Sequence, residues 1–114
     1  MKCDVEFTDE FHTWWQSLSE EQQDEVAAVV GLLEEQGVEL GYPRSSDIRG
    51  SRHGRLRELR IQVGGKPFRV LYAFDRRRVA LLLVGGEKSG GKRWYRSMVP
   101  LAERLFDEHL KTLE

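Results

Sequence analysis

The stretch LRELRIQVGGKPFRVLYAFDRRRVALLLV, residues 56–84, decides the fold. It holds three strand-like runs, residues 56–63, 68–74 and 79–84, separated by turns at Gly64-Gly65 and at Asp75-Arg76-Arg77. A Gly-Gly pair supplies the positive backbone angles of a two-residue hairpin. Connections this short predict antiparallel neighbours. In the first run Leu59, Ile61 and Val63 fall on one side, and Glu58, Arg60 and Gln62 on the other. In the second, Phe68, Val70, Tyr72 and Phe74 share a side, with Arg69, Leu71 and Ala73 opposite. The third run is apolar at every position, which predicts a central strand covered on both faces.

Upstream, Cys3-Asp4-Val5-Glu6-Phe7 alternates as a short strand. Thr8 can cap a helix in which Phe11, Trp14, Trp15 and Leu18 recur at helical spacing. Ser19-Glu20-Glu21-Gln22 is a capping box that opens a second helix with Val26, Val29, Val30 and Leu33 on its stripe and Gly37 as its stop. Residues 41–54 have no periodicity and read as a loop. Downstream, a glycine-rich segment (Gly85, Gly86, Gly90, Gly91) precedes a last helix, for which Pro100 suits the first turn and Leu101, Leu105, Leu110 and Leu113 the apolar stripe. The predicted order is β-α-α-β-β-β-α, an α+β fold. Its helices are expected on one side of a twisted, mainly antiparallel sheet, leaving the other side open to a ligand.

The chain has 114 residues and a formal net charge of −1, which conceals a segregation. Residues 1–37 carry ten acids against one base, residues 38–98 fifteen bases against five acids, and the last sixteen residues a balance of −2. A cationic sheet between acidic helices points to a phosphate-bearing ligand, most commonly a polynucleotide. The length predicts one domain over residues 1–114. No apolar run reaches the length of a membrane span, and the first residues lack the apolar core of a signal peptide. With a single cysteine, Cys3, the expected setting is the cytoplasm.

If the apolar sides of the first two runs face helices, Arg60 and Arg69 project together from the open face, with Lys88 at its rim. Three cations there could bind a phosphate and stabilise a pentacoordinate phosphorane. The competing reading pairs Arg60 with Glu58 or Asp75 as a solvated salt bridge, and strand parity alone leaves both open. Gly86 to Lys92 matches the first seven positions of a P-loop, but Arg93 replaces the Mg²⁺-binding hydroxyl, so a basic substrate loop is the better reading. His12, His53 and His109 have no partners at zinc-ligand spacing; His12 and His109 read as surface or edge residues. Trp94 and Tyr95 lie among Lys92, Arg93 and Arg96, a pattern suited to stacking unpaired bases, unless Trp94 anchors the loop in the core. Arg55, Arg57, His53, Lys92, Arg93 and Trp94 are therefore the candidate RNA contacts.

Three blocks, Glu58-Leu59-Arg60, Phe68-Arg69-Val70-Leu71-Tyr72-Ala73-Phe74-Asp75 and Leu81-Leu82-Leu83-Val84-Gly85-Gly86-Glu87-Lys88, resemble the core of HigB-type toxins. These form the phage-derived branch of the RelE/ParE superfamily of bacterial type II toxin–antitoxin systems. The resemblance implies a RelE-like fold and metal-free mRNA cleavage on translating ribosomes, by attack of a ribose 2′-hydroxyl on the adjacent phosphate, with no cofactor. Carried over by position, Arg60, Arg69 and Lys88 stabilise the transition state, and Tyr95 is the aromatic acid/base. The lysines of the RelE pattern fall here at Leu56 and Glu58, which leaves Glu58, Tyr95 and His53, in that order, as candidate bases. The resemblance also implies a helix-turn-helix antitoxin of HigA type as partner, through which alone operator DNA would be met. Two alternatives stay open: a non-catalytic RNA- or protein-binding module, and a gyrase-directed toxin of the ParE kind.

Overall fold

In the computed structural model, which describes residues 1–114, the N-terminal helices begin where side chains can serve their free N–H groups. Strand β1 (Val5–Phe7) leads into α1 (Asp9–Gln16), where the Phe11 N–H donates to Thr8 Oγ1. Helix α2 (Glu20–Gln36) opens on the expected capping box: the Gln22 N–H donates to Ser19 Oγ, and the Ser19 N–H to Gln22 Oε1. Gly37, at φ 59°, ends it. A 3₁₀ turn (Gly37–Glu39) then leads to β2 (Ser45–Asp47), a strand absent from the sequence reading. Three residues are too few for a period-2 signal. The meander is β3 (Arg57–Val63), β4 (Lys66–Phe74) and β5 (Ala80–Glu87), its first turn formed by Gly64 and Gly65, both at positive φ.

The sheet runs β1-β5-β4-β3-β2, parallel only between β1 and β5. The predicted α+β class and mainly antiparallel sheet hold, the predicted element order gains β2, and β5 is an interior strand. The layering differs from the expectation. One core joins α1 and α2 to Leu59, Ile61, Val63, Phe68, Val70, Tyr72, Ala80 and Leu82. A second joins Ala102, Leu105 and Phe106 of the last helix to Leu56, Leu71, Ala73, Leu81 and Leu83 on the opposite face. Helices therefore cover both sides. The reason lies in β4 and β5, which carry apolar residues on both parities and need a cover on each face.

Helix α3 (Lys92–Thr112) also starts earlier than predicted, with Pro100 inside it. Proline withholds one N–H from the Arg96 carbonyl. Both residues are exposed, so water can take the vacancy. The early start reduces the basic loop to residues 88–91. It also lays the first turns of α3 over the sheet end that carries Arg69. Gly85 and Gly86 make this possible. A Cβ on Gly85 would meet the Trp14 ring at 2.3 Å, and one on Gly86 would meet Trp94 Nε1 at 2.6 Å, from opposite faces.

Candidate active site

Arg60 and Arg69 are directly opposed across β3 and β4, and therefore share a face. Glu58, two residues along β3, stands on the same face and is 5% exposed. Its Oε2 accepts from Ser46 Oγ at 2.8 Å and from Arg60 Nη1 at 3.3 Å. Its Oε1 accepts from the Tyr95 hydroxyl at 2.5 Å and lies 3.5 Å from Arg69 Nε. A carboxylate this buried is tolerable only because several donors replace its lost water. Arg60 thus pairs with Glu58, as the competing reading had it, although the carboxylate of that pair is buried rather than solvated.

Arg69 donates from Nη1 to the Phe68 carbonyl at 3.0 Å, while its buried Nε makes no hydrogen bond. Its side chain is only 5% exposed, so the face is less open than parity suggested. Lys88 Nζ lies 5.6 Å from the centre of the Tyr95 ring, within cation–π range. Burial pushes the Tyr95 hydroxyl up, and its hydrogen bond to Glu58 pushes it further, to about 12, against the lowering influence of Arg69. Tyr95 is therefore a protonated donor at neutral pH, which removes it as a resting base. A cleft of about 160 Å³, lined by Pro43, Arg44, Arg60, Ile61, Gln62 and Arg69, opens beside the cluster.

The five residues expected to carry chemistry, Glu58, Arg60, Arg69, Lys88 and Tyr95, are brought together. Of the expected RNA contacts, Lys92 and Arg93 are exposed on the first turn of α3, and Arg55 is exposed just ahead of β3. Trp94 packs over Gly86 and onto the second core, so its anchoring role is realised. Arg57 is not at the site. It has the parity of Leu59 and bonds Tyr72 Oη at 3.2 Å, Ser45 Oγ at 3.1 Å and the Leu40 carbonyl at 3.2 Å, besides Asp47. His53 is also elsewhere, 2.7 Å from Asp107 on α3 and edge-on to Phe106, and the base assignment loses it. Asp107 lies twelve positions along α3 from Tyr95, about 18 Å of helix. His109 is no plain surface residue: it sits 2.9 Å from the buried Asp75 carboxylate. Ser46 and Arg44 were missed, because only the pairing of β2 with β3 puts them beside Glu58 and Arg60.

The fold is that of a small RelE-like domain. It superposes on the free state of a mutant Escherichia coli toxin RelE with a TM-score of 0.59 at 14% identity, over 86% of this chain and 96% of that one. The archaeal RelE of a RelE–RelB complex from Pyrococcus horikoshii gives 0.55 at 21% identity, over 78% and 98%. The chain belongs to the phage-derived Gp49-like family (DUF891), which it matches over residues 13–107. It is 39% identical over 103 residues to HigB2, a candidate toxin of Mycobacterium tuberculosis, covering 89% of this chain and 51% of that protein. To HigB3 of the same organism it is 37% identical over 98 residues, covering 85% and 84%. The chain thus spans about half the length of HigB2.

Proposed function

We propose that the chain is the toxin of a type II toxin–antitoxin pair and cleaves mRNA on translating ribosomes. The observation that carries this reading is the cluster in which a buried carboxylate, a protonated phenol and three cations converge. In the proposed step the ribose 2′-oxygen attacks the adjacent phosphorus and its proton passes to Glu58. Arg60, Arg69 and Lys88 stabilise the phosphorane, where fixed cations act on charge that develops only in the transition state. Tyr95 protonates the departing 5′-oxygen as the P–O5′ bond breaks, leaving a 2′,3′-cyclic phosphate and a 5′-hydroxyl. The Glu58–Tyr95 hydrogen bond then carries the proton from the carboxyl back to the phenolate.

The test is cleavage by Arg69→Ala, expected to fall by about 10²–10³. Arg69→Lys should not restore it, because an ammonium lacks the planar fork that engages two phosphate oxygens. Cleavage should survive EDTA treatment that leaves ribosomes intact. Loss on chelation with recovery on adding Mg²⁺, in an assay without ribosomes, would count against the scheme. The convergence of Arg60, Arg69 and Lys88 favours RNA over a gyrase target. A second reading, a non-catalytic binding module, is favoured by one observation: Glu58 already pairs both arginines. Full growth inhibition by Arg69→Ala would support it.

Similarity to HigB2 and HigB3, and a fold shared with a RelE solved in complex with RelB, support a cognate antitoxin as the partner. A HigA-like helix-turn-helix protein encoded beside this chain is the proposed form. The proposed setting is cytoplasmic; no helix is long and apolar enough to cross a membrane.

A further inference from the structure

Tyr42 stands 77% exposed, on the loop that enters β2, and the Arg60 guanidinium lies 5.4 Å from its ring centre. The next residues, Pro43 and Arg44, line the same cleft as Arg60 and Arg69. The β2–β3 register pairs Ser45 with Leu59 and Ser46 with Glu58. Arg44 lies in the turn just before β2, and the Arg60 N–H donates to its carbonyl at 2.8 Å. Arg44, on the turn before β2, thus joins Arg60 of β3 and Arg69 of β4 in one row along the cleft.

Like charges directly opposite one another are destabilising in a sheet. Glu58 compensates Arg60 and Arg69, but it makes no bond to Arg44. Two strand spacings make the row about 10 Å long. A stacked nucleic-acid strand carries a charge roughly every 3.4 Å, so the row can meet more than one phosphate. At its outer end an aromatic face stands free in solvent.

We propose that Tyr42, Arg44 and Arg60 form a nucleotide subsite next to the cleavage site. Tyr42 stacks on an unpaired base, and the two arginines hold the phosphate attached to it. The ligand class is single-stranded RNA, and in this the inference rests on the function proposed above. Arg60 belongs to both sites: Nη1 reaches Glu58 while the guanidinium carbon lies 5.4 Å from the centre of the Tyr42 ring. A base seated on Tyr42 therefore lies one step along the strand from the phosphate at Arg69. Stacking reads a ring face and not its hydrogen-bonding edge, so the subsite is tolerant of sequence.

The test is direct binding of a short, single-stranded, fluorescently labelled oligoribonucleotide of mixed sequence, followed by anisotropy beside a separate cleavage assay. Tyr42→Ala is expected to weaken binding about tenfold, the scale of one lost stacked base, while Tyr42→Phe keeps wild-type affinity. Arg44→Gln should lower the slope of log affinity against log salt by about 0.7, one phosphate contact fewer. The exposure of Tyr42 and Arg44 means these variants should fold, which circular dichroism checks. Equal affinity for wild type and Tyr42→Ala, or no binding by either, overturns the subsite and leaves the Tyr42 ring free for a protein partner. Binding that depends on Tyr42 without any cleavage keeps the subsite and overturns the nuclease reading instead.

Discussion

Glu58 is the residue on which the cluster depends, because it is the only carboxylate in reach of the buried Arg69 guanidinium. Removing one member of a buried ion pair leaves the other uncompensated, at a cost of about 3–5 kcal/mol. Glu58→Ala is therefore expected to destabilise the fold by that order in urea denaturation. Arg69→Ala should cost less, since Ser46, Arg60 and Tyr95 still donate to the carboxylate. Tyr95 offers a second check. Its hydroxyl is held up to about 12, first by burial and then by Glu58. The tyrosinate absorbance that disappears in Tyr95→Phe should accordingly titrate near pH 12 in wild type, and lower in Glu58→Gln. A Tyr95 that titrates at the ordinary value of about 10 would disconnect it from Glu58.

Among the elements, β5 and α3 meet through the two glycines that follow the apolar run. Gly85 admits Trp14 of α1 on one face, and Gly86 admits Trp94 of α3 on the other. Gly86→Ala places a methyl against a rigid indole, so the first turn of α3 must shift and take Tyr95 with it. Overpacking of this kind costs about 1–3 kcal/mol. Both lower stability and reduced RNA cleavage are expected. Gly85→Ala should match the stability loss through Trp14 while leaving Tyr95 bonded to Glu58, which separates packing from chemistry. Equal cleavage by both variants would sink this division of roles. The start of α3 shows why such detail escaped the sequence. Pro100 reads as a first-turn residue by its local chemistry, but packing of Trp94 on Gly86 extends the helix upstream to Lys92.

For the whole molecule, the segregated charge makes two measurable predictions. If the basic rows grip phosphates, RNA affinity should fall steeply as salt rises, because bound counterions are released. Affinity that stays flat up to physiological salt would argue against a phosphate-led interface. The second prediction concerns acid. Asp75, at the β4–β5 turn, ties that turn to α3. Burial pushes its carboxyl up, but Arg77, His109 and the N–H groups of Arg77 and Val79 outweigh it and hold it at about 2. A folded value below the unfolded one means the stabilisation is complete above about pH 4 and fades as pH falls through 2. The amount at stake is about 2 kcal/mol. Urea midpoints of wild type should drop over that window, and those of Asp75→Asn should drop less.

Much of this was legible from local pattern. Thr8, Ser19 and Gly37 bound the first two helices through backbone chemistry that their immediate neighbours dictate. Gly64-Gly65 sets the hairpin, whose register makes Arg60 and Arg69 neighbours, and period-2 alternation puts Glu58 with them. Other features depended on contacts between residues far apart in the chain. The three residues of β2 have no signal of their own, and only pairing with β3 aligns Arg44 and Ser46 with the site. Helix α3 covers the second sheet face because β4 and β5 together leave an apolar surface there. His53, beside the cluster in sequence, is carried to Asp107 by packing against α3. Alternation and capping are short-range and survive in one dimension. Which face a helix covers, and which arginine meets which carboxylate, depends on minimising exposed apolar surface over the entire chain, and only the tertiary structure decides that.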